Sequence, residues 1–142
     1  MTYNILVAEP SNDLWTSIAN GLRQLQPDAE IVRVKDGEQA IRFLFQRGLL
    51  TETPETPNLV VLAAELPVLP VNAVIARLRQ HPRTLAIPVI IVSPEDSRDD
   101  DRECELETQH WLHRQPDVIV ITGTQRLEKE VANAASRLSE LP

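Results

Sequence analysis

Short apolar blocks alternate along the chain with longer stretches in which apolar residues recur every three or four positions. The blocks are Ile5-Leu6-Val7-Ala8, Ile31-Val32-Arg33-Val34, Leu59-Val60-Val61-Leu62, Ile87-Pro88-Val89-Ile90-Ile91-Val92 and Val118-Ile119-Val120-Ile121. Continuous apolar runs of this length, bounded by breakers, fit strands buried on both faces, as a parallel sheet flanked by helices requires. Between them, Leu14, Ile18, Leu22 and Leu25 form one helical stripe, with Trp15 beside it. Ala40, Ile41, Leu44 and Phe45 form a second, and Val71, Val74, Ile75 and Leu78 a third. A last amphipathic helix is predicted from Leu127 to Leu138, and the acidic segment from Glu95 to Glu107 reads as a solvated helix leading into Trp111 and Leu112.

Punctuation supports this reading. Ser11, Asn12 or Asp13 can cap the first helix by accepting from its free N–H groups, and that helix ends near Gln26-Pro27. Asp36-Gly37 opens the second, with Gly48 as its expected stop. The run Thr51-Glu52-Thr53-Pro54-Glu55-Thr56-Pro57 is a polar loop, because its prolines exclude a helix. Five strands alternating with five helices give a (βα)5 chain of class α/β, a doubly wound parallel sheet with right-handed crossovers and expected strand order 2-1-3-4-5. Residues 1–142 are read as one domain.

Composition narrows the function classes. The net charge of −7 argues against a nucleic-acid binder, and the two lysines, Lys35 and Lys129, lie in no basic run. Cys104 is the sole cysteine, so an intrachain disulfide and a Cys-based zinc site are excluded, and a cytoplasmic location is expected. The chain begins without a basic leader and carries no long apolar segment, so neither a signal peptide nor a membrane span is expected.

The order of motifs resembles the receiver domain of two-component response regulators over essentially the whole length. The matching stretches are Ile5-Leu6-Val7-Ala8-Glu9, Asp36-Gly37-Glu38-Gln39-Ala40-Ile41, Pro57-Asn58-Leu59-Val60-Val61-Leu62, Leu66-Pro67 and Ile87-Pro88-Val89-Ile90-Ile91-Val92-Ser93. The extended loop before the third strand and the segment from Leu78 to Pro88 are similar to the stand-alone receivers that partner phytochrome-type histidine kinases. The resemblance implies a flavodoxin-like receiver fold. It also implies a site where an Asp after the third strand takes a phosphoryl group, beside Mg²⁺ held by acidic residues after the first strand. A hydroxyl after the fourth strand and a Lys after the fifth complete that site.

Carried over residue by residue, Glu9 fits the first acidic position and Ser93 the hydroxyl position. Pro10 stands at the second acidic position, Ala63 at the phosphoacceptor and Thr122 where the Lys belongs. No Asp occurs between Asp36 and Asp96, and no Lys between Lys35 and Lys129, so no shift of alignment restores either group. The aromatic switch residue implied near the fifth strand is missing too.

Other candidate chemistry is thin. His110 and His113, with Glu107 a turn earlier, have spacing for a metal, but no further ligand accompanies them, and His81 stands apart; no metal and no cofactor are expected. Glu65 reads as a solvated carboxylate rather than an imitation of a phosphoryl group. Cys104 sits among Glu103, Glu105 and Glu107, whose charges disfavour a thiolate. No nucleophile elbow, triad order or Gly-rich phosphate loop is present, so no catalytic residues are assigned and no enzyme is expected. The expectation is a pseudo-receiver that acts without phosphorylation by binding a protein, a histidine kinase or another regulator, or by homodimerising. Trp111, Leu112 and Ile119 are the candidate interface. The alternative is a small-ligand sensor using a cavity above Ala63.

Overall fold

The computed structural model describes residues 4–45, 57–82, 84–93, 118–122 and 127–139. In chain order these form β1 (Asn4–Ala8), α1 (Asn12–Leu25), β2 (Glu30–Val34), α2 (Gly37–Phe45), β3 (Leu59–Ala63), α3 (Val71–Gln80), β4 (Val89–Ser93), β5 (Val118–Thr122) and α4 (Leu127–Ser139). The five strands make one parallel sheet in the order β2-β1-β3-β4-β5, as the apolar pattern predicts. The acidic segment, Trp111, Leu112, Gly48, Cys104, His110 and His113 lie outside the described residues.

The alternation of side chains along each strand divides the core into two layers. Leu6, Ala8, Val60, Leu62, Val89 and Ile91 face α2 and α3, where they meet Ala40, Leu44, Val74, Ile75 and Leu78. Ile5, Val7, Leu59, Val61, Ile90 and Val92 face α1 and α4, meeting Ile18, Leu22, Leu127, Val131 and Ala135. β3 and β4 are buried at every position, which explains why they read as unbroken apolar blocks. Burying these side chains is worth about 25 cal/mol per Å² of apolar surface.

Caps form where the polar residues predict them. The Ser11 hydroxyl accepts from the Leu14 N–H at 3.4 Å. At α2, the Asp36 carboxylate accepts from the Gln39 N–H (2.7 Å), while the Gln39 side chain accepts from the Lys35 N–H (2.9 Å), a reciprocal pair of the capping-box kind. β4 starts two residues later than its apolar run, because the Ile87 N–H donates to the Thr84 carbonyl (3.1 Å) in a turn that follows α3. Thr84 itself is buried, its hydroxyl donating to the Leu78 carbonyl at 2.7 Å.

Two glycines mark close approaches. A Cβ on Gly21 would run into the backbone of Glu128, so α1 and α4 pack with main chain almost touching main chain. A Cβ on Gly37 would meet Leu69 Cβ at 2.8 Å. The Gly37 N–H also donates to the Pro67 carbonyl (3.2 Å), which pins the loop between β3 and α3 onto the start of α2.

Candidate functional site

The carboxyl ends of the parallel strands form one edge, the usual place for ligands in open α/β sheets. The first contributor is Glu9. Its N–H donates to the Val34 carbonyl (3.0 Å) and so extends the pairing of β1 with β2 by one residue. Pro10, which has no N–H to offer, then turns the chain out and is exposed. Alternation from Ile5 and Val7 puts Glu9 on the α1 side, where it is only 2% exposed. One carboxylate oxygen, Oε2, accepts from the Ser11 N–H at 3.1 Å, whereas the buried Oε1 has no partner among the described residues. Burial pushes the Glu9 carboxyl above the usual carboxylate range; the Ser11 N–H and the Arg33 guanidinium pull the other way without cancelling it.

The register Ile5↔Leu59 through Ala8↔Leu62, carried one step further, sets Glu9 beside Ala63. Ala63 closes β3, lies opposite Val92 and is 6% exposed. The next residue keeps the sheet's edge regular, since the Ala64 N–H donates to the Val92 carbonyl at 2.8 Å. Ser93 closes β4, is buried, and pairs in register with Thr122 at the end of β5. The positions matched in the sequence, Glu9, Pro10, Ala63, Ser93 and Thr122, thus gather along one edge of the sheet. Glu65 is exposed in the loop after β3. Ile119 is half-buried on the α1 and α4 side, where it packs against the core.

Sequence reasoning missed Arg33. It pairs with Val7 in the register of β2 with β1, on the same sheet face as Ile31. From there its guanidinium reaches over the turn after β1. Nε and one Nη donate to the Glu9 carbonyl at 3.2 and 3.1 Å, and the same Nη lies 3.4 Å from the Pro10 carbonyl. The guanidinium carbon also stands 5.5 Å from the centre of the Trp15 ring, a cation–π distance. A lone Arg in an apolar strand was the available signal, but periodicity does not say where a long side chain ends.

Chemically, Glu9 is the one carboxylate among the matched positions, where a divalent-ion site needs several oxygens. Mg²⁺ demands near-octahedral oxygen coordination. Pro10 and Ala63 supply no side-chain oxygen, and the Glu9 carbonyl is already taken by Arg33. Among the described residues, no three His, Cys, Asp or Glu side chains come together as a metal site. The side chains at these matched positions do not fit a divalent ion.

Comparison with known proteins places this geometry. No family model matches the chain. It is 31% identical over 96 residues to the response regulator Rcp1 of Synechocystis sp., covering 68% of this chain and 65% of that protein, just under two thirds of its length. The crystal structure of the Mn²⁺-bound form of Rcp1 superposes with a TM-score of 0.72 at 25% identity, covering 99% of this chain and 97% of the other. The chain has the fold of response regulator receiver domains and is similar to one of them in sequence. Two further structures share the fold. The phosphorylated cyanobacterial phytochrome response regulator RcpA has a TM-score of 0.74 at 22% identity, covering 99% of this chain and 96% of RcpA. The bacteriophytochrome response regulator RtBRR also has 0.74, at 19% identity, covering 100% of this chain and 81% of that one. Among the described residues, no helix is long and apolar enough to cross a membrane.

Proposed function

We propose that this receiver is a pseudo-receiver: a signalling module that works without phosphorylation, by binding another protein in a two-component-type pathway. The observation that carries the reading is Ala63. It stands at the end of β3, buried and in regular register with β4, so the position matched to the phosphoacceptor presents a methyl group with no nucleophilic oxygen. Pro10 and Thr122 support the reading independently, since a carboxylate and an amine are missing from their positions as well. The sheet edge is otherwise regular, and the core behind it is closely packed, which supports a role for the surface rather than for chemistry at this edge.

The partner class follows the relatives, several of which are named as response regulators of phytochromes. A histidine kinase of that type, or another regulator, is the proposed partner, with the cytoplasm as the proposed location and no catalytic activity. The test is to measure binding to such a kinase, and the receiver's own mass by light scattering, before and after treatment with acetyl phosphate and Mg²⁺. Neither is expected to change. A phosphodonor-dependent change in affinity or assembly would overturn the reading.

A further inference from the structure

Charge is unevenly spread along this acidic chain. No Asp or Glu occurs between Glu65 and Glu95, whereas Arg77, Arg79 and Arg83 fall close together inside that interval. Arg77 and Arg79 occupy the last turn of α3, where positive charge suits the helix dipole. Arg79 also serves the fold, since its guanidinium donates to the Leu85 and Ile87 carbonyls at 2.5 and 3.2 Å. Arg77 is placed differently. Its guanidinium carbon stands 5.5 Å from the centre of the Phe45 ring, and that ring also meets His81, with centroids 5.4 Å apart and planes tilted by 57°. Arg77 is exposed, and among the described residues no carboxylate pairs with it. A guanidinium laid on a ring is held in orientation while its edge can still present a fork of donors to a carboxylate.

The chain beside this cluster is firmly held. The Thr84 and Leu85 N–H groups both donate to the His81 carbonyl (3.1 and 2.9 Å), and the Thr84 hydroxyl donates to the Leu78 carbonyl (2.7 Å). Together with the two Arg79 bonds, these fix the turn from α3 to β4 and leave Leu85 on its outside, 52% exposed. Such a face loses little freedom when it is covered. It lies at the amino edge of the sheet, the end opposite Glu9 and Ala63.

We propose that Arg77, Phe45, His81 and Leu85 form a docking face for an acidic segment of a partner protein. Carboxylates of that segment meet the stacked guanidinium, and an apolar side chain among them meets Leu85. Charge complementarity selects this occupant, because the face belongs to the long interval without Asp or Glu in a chain of net charge −7. The inference rests on the protein-binding reading given above and deepens it by naming the face and the chemistry of the partner. Its distance from the carboxyl edge lets it work whatever the state of that edge.

The test titrates the full chain into a fluorescein-labelled peptide of six glutamates around a central leucine. Anisotropy is followed at low ionic strength, where surface charge pairs are least screened. The same peptide with glutamine for glutamate, and an oligothymidylate, serve as competitors. R77M is expected to weaken binding about ten-fold, and R23M, which removes the same charge from the last turn of α1, by less than about two-fold. F45L keeps the charge and removes the ring, and should weaken binding about three-fold, as should L85S. Circular dichroism checks that each variant is folded. Equal losses from R77M and R23M would show a response to net charge alone and overturn the proposal. Displacement by the glutamine peptide or by the oligothymidylate as effective as by unlabelled glutamate peptide would overturn it too. So would the absence of saturable binding up to about 1 mM. None of these outcomes touches the reading at Ala63, which falls instead on a phosphoryl adduct or on phosphodonor-dependent binding, so the two failures are told apart.

Discussion

The Glu9 carboxylate accepts a hydrogen bond from the Ser11 backbone N–H through one oxygen, while its other oxygen is buried with no partner among the described residues. That half-satisfied carboxyl makes the fold pH-sensitive in an unusual direction. Burial raises the folded-state pKa above the unfolded value of 4.5, so the folded protein holds this proton more tightly than the unfolded chain does. The stability it lends is fully present below 4.5 and is lost as pH rises through the folded pKa. E9Q should therefore be more stable than the wild type near neutral pH, with the gap closing below the unfolded pKa. The slope cannot exceed about 1.4 kcal/mol per pH unit for one proton. Urea unfolding of both proteins from about pH 4 to 8 checks this, and a wild type stabilised relative to E9Q at neutral pH would contradict it.

Restoring an Asp at the end of β3 should not restore a working site. A63D puts a second carboxylate beside Glu9 in a buried position, with no Lys near the sequence position that would hold its partner. A loss of about 3 kcal/mol or more is expected, as for an uncompensated buried charge. The loss should be larger at about pH 8 than at about pH 5, where protonation relieves the repulsion. Denaturant midpoints at the two pH values measure it.

G21A should destabilise although alanine is the better helix former. The gain in helix propensity is about 1 kcal/mol. Against it, a methyl group at Gly21 would press on the backbone of Glu128, with its carbonyl carbon at 3.1 Å and its Cα at 3.2 Å, and backbone cannot swing aside. Overpacking of this kind costs about 1–3 kcal/mol. A net loss, read from the urea midpoint, is the expected result.

Val68 carries the opposite prediction. It has φ +71°, and the Leu69 N–H donates across it to the Pro67 carbonyl at 2.7 Å, making a γ-turn of the rarer, positive-φ kind. A β-branched residue is strained there, and Val68 is 71% exposed, so its side chain gives little packing in return. V68G is expected to stabilise by about 0.5–1 kcal/mol, after allowing for glycine's freer unfolded state. Thermal unfolding checks the sign.

The scaffold was legible because it is written in period and composition. Unbroken apolar runs at Leu59–Ala63 and Val89–Val92 fit strands buried on both faces, and the helical stripes between them fit a doubly wound parallel sheet. The make-up of the candidate site was legible too, since the absence of an Asp between Asp36 and Asp96 does not depend on alignment. Its geometry was not. The reach of Arg33 over Glu9 and Trp15, the close approach at Gly21 and the strained turn at Val68 all depend on where backbone segments distant in sequence come to lie. The pattern of one segment carries no record of that.

The proposed function requires that this chain take no phosphoryl group. The direct measurement is intact mass after incubation with acetyl phosphate and Mg²⁺ under native conditions, read without acid treatment, alongside a receiver that carries the Asp as a positive control. The mass of the protein is expected to be unchanged while the control gains one phosphoryl group. A stable adduct of one phosphoryl mass on this chain would contradict the account.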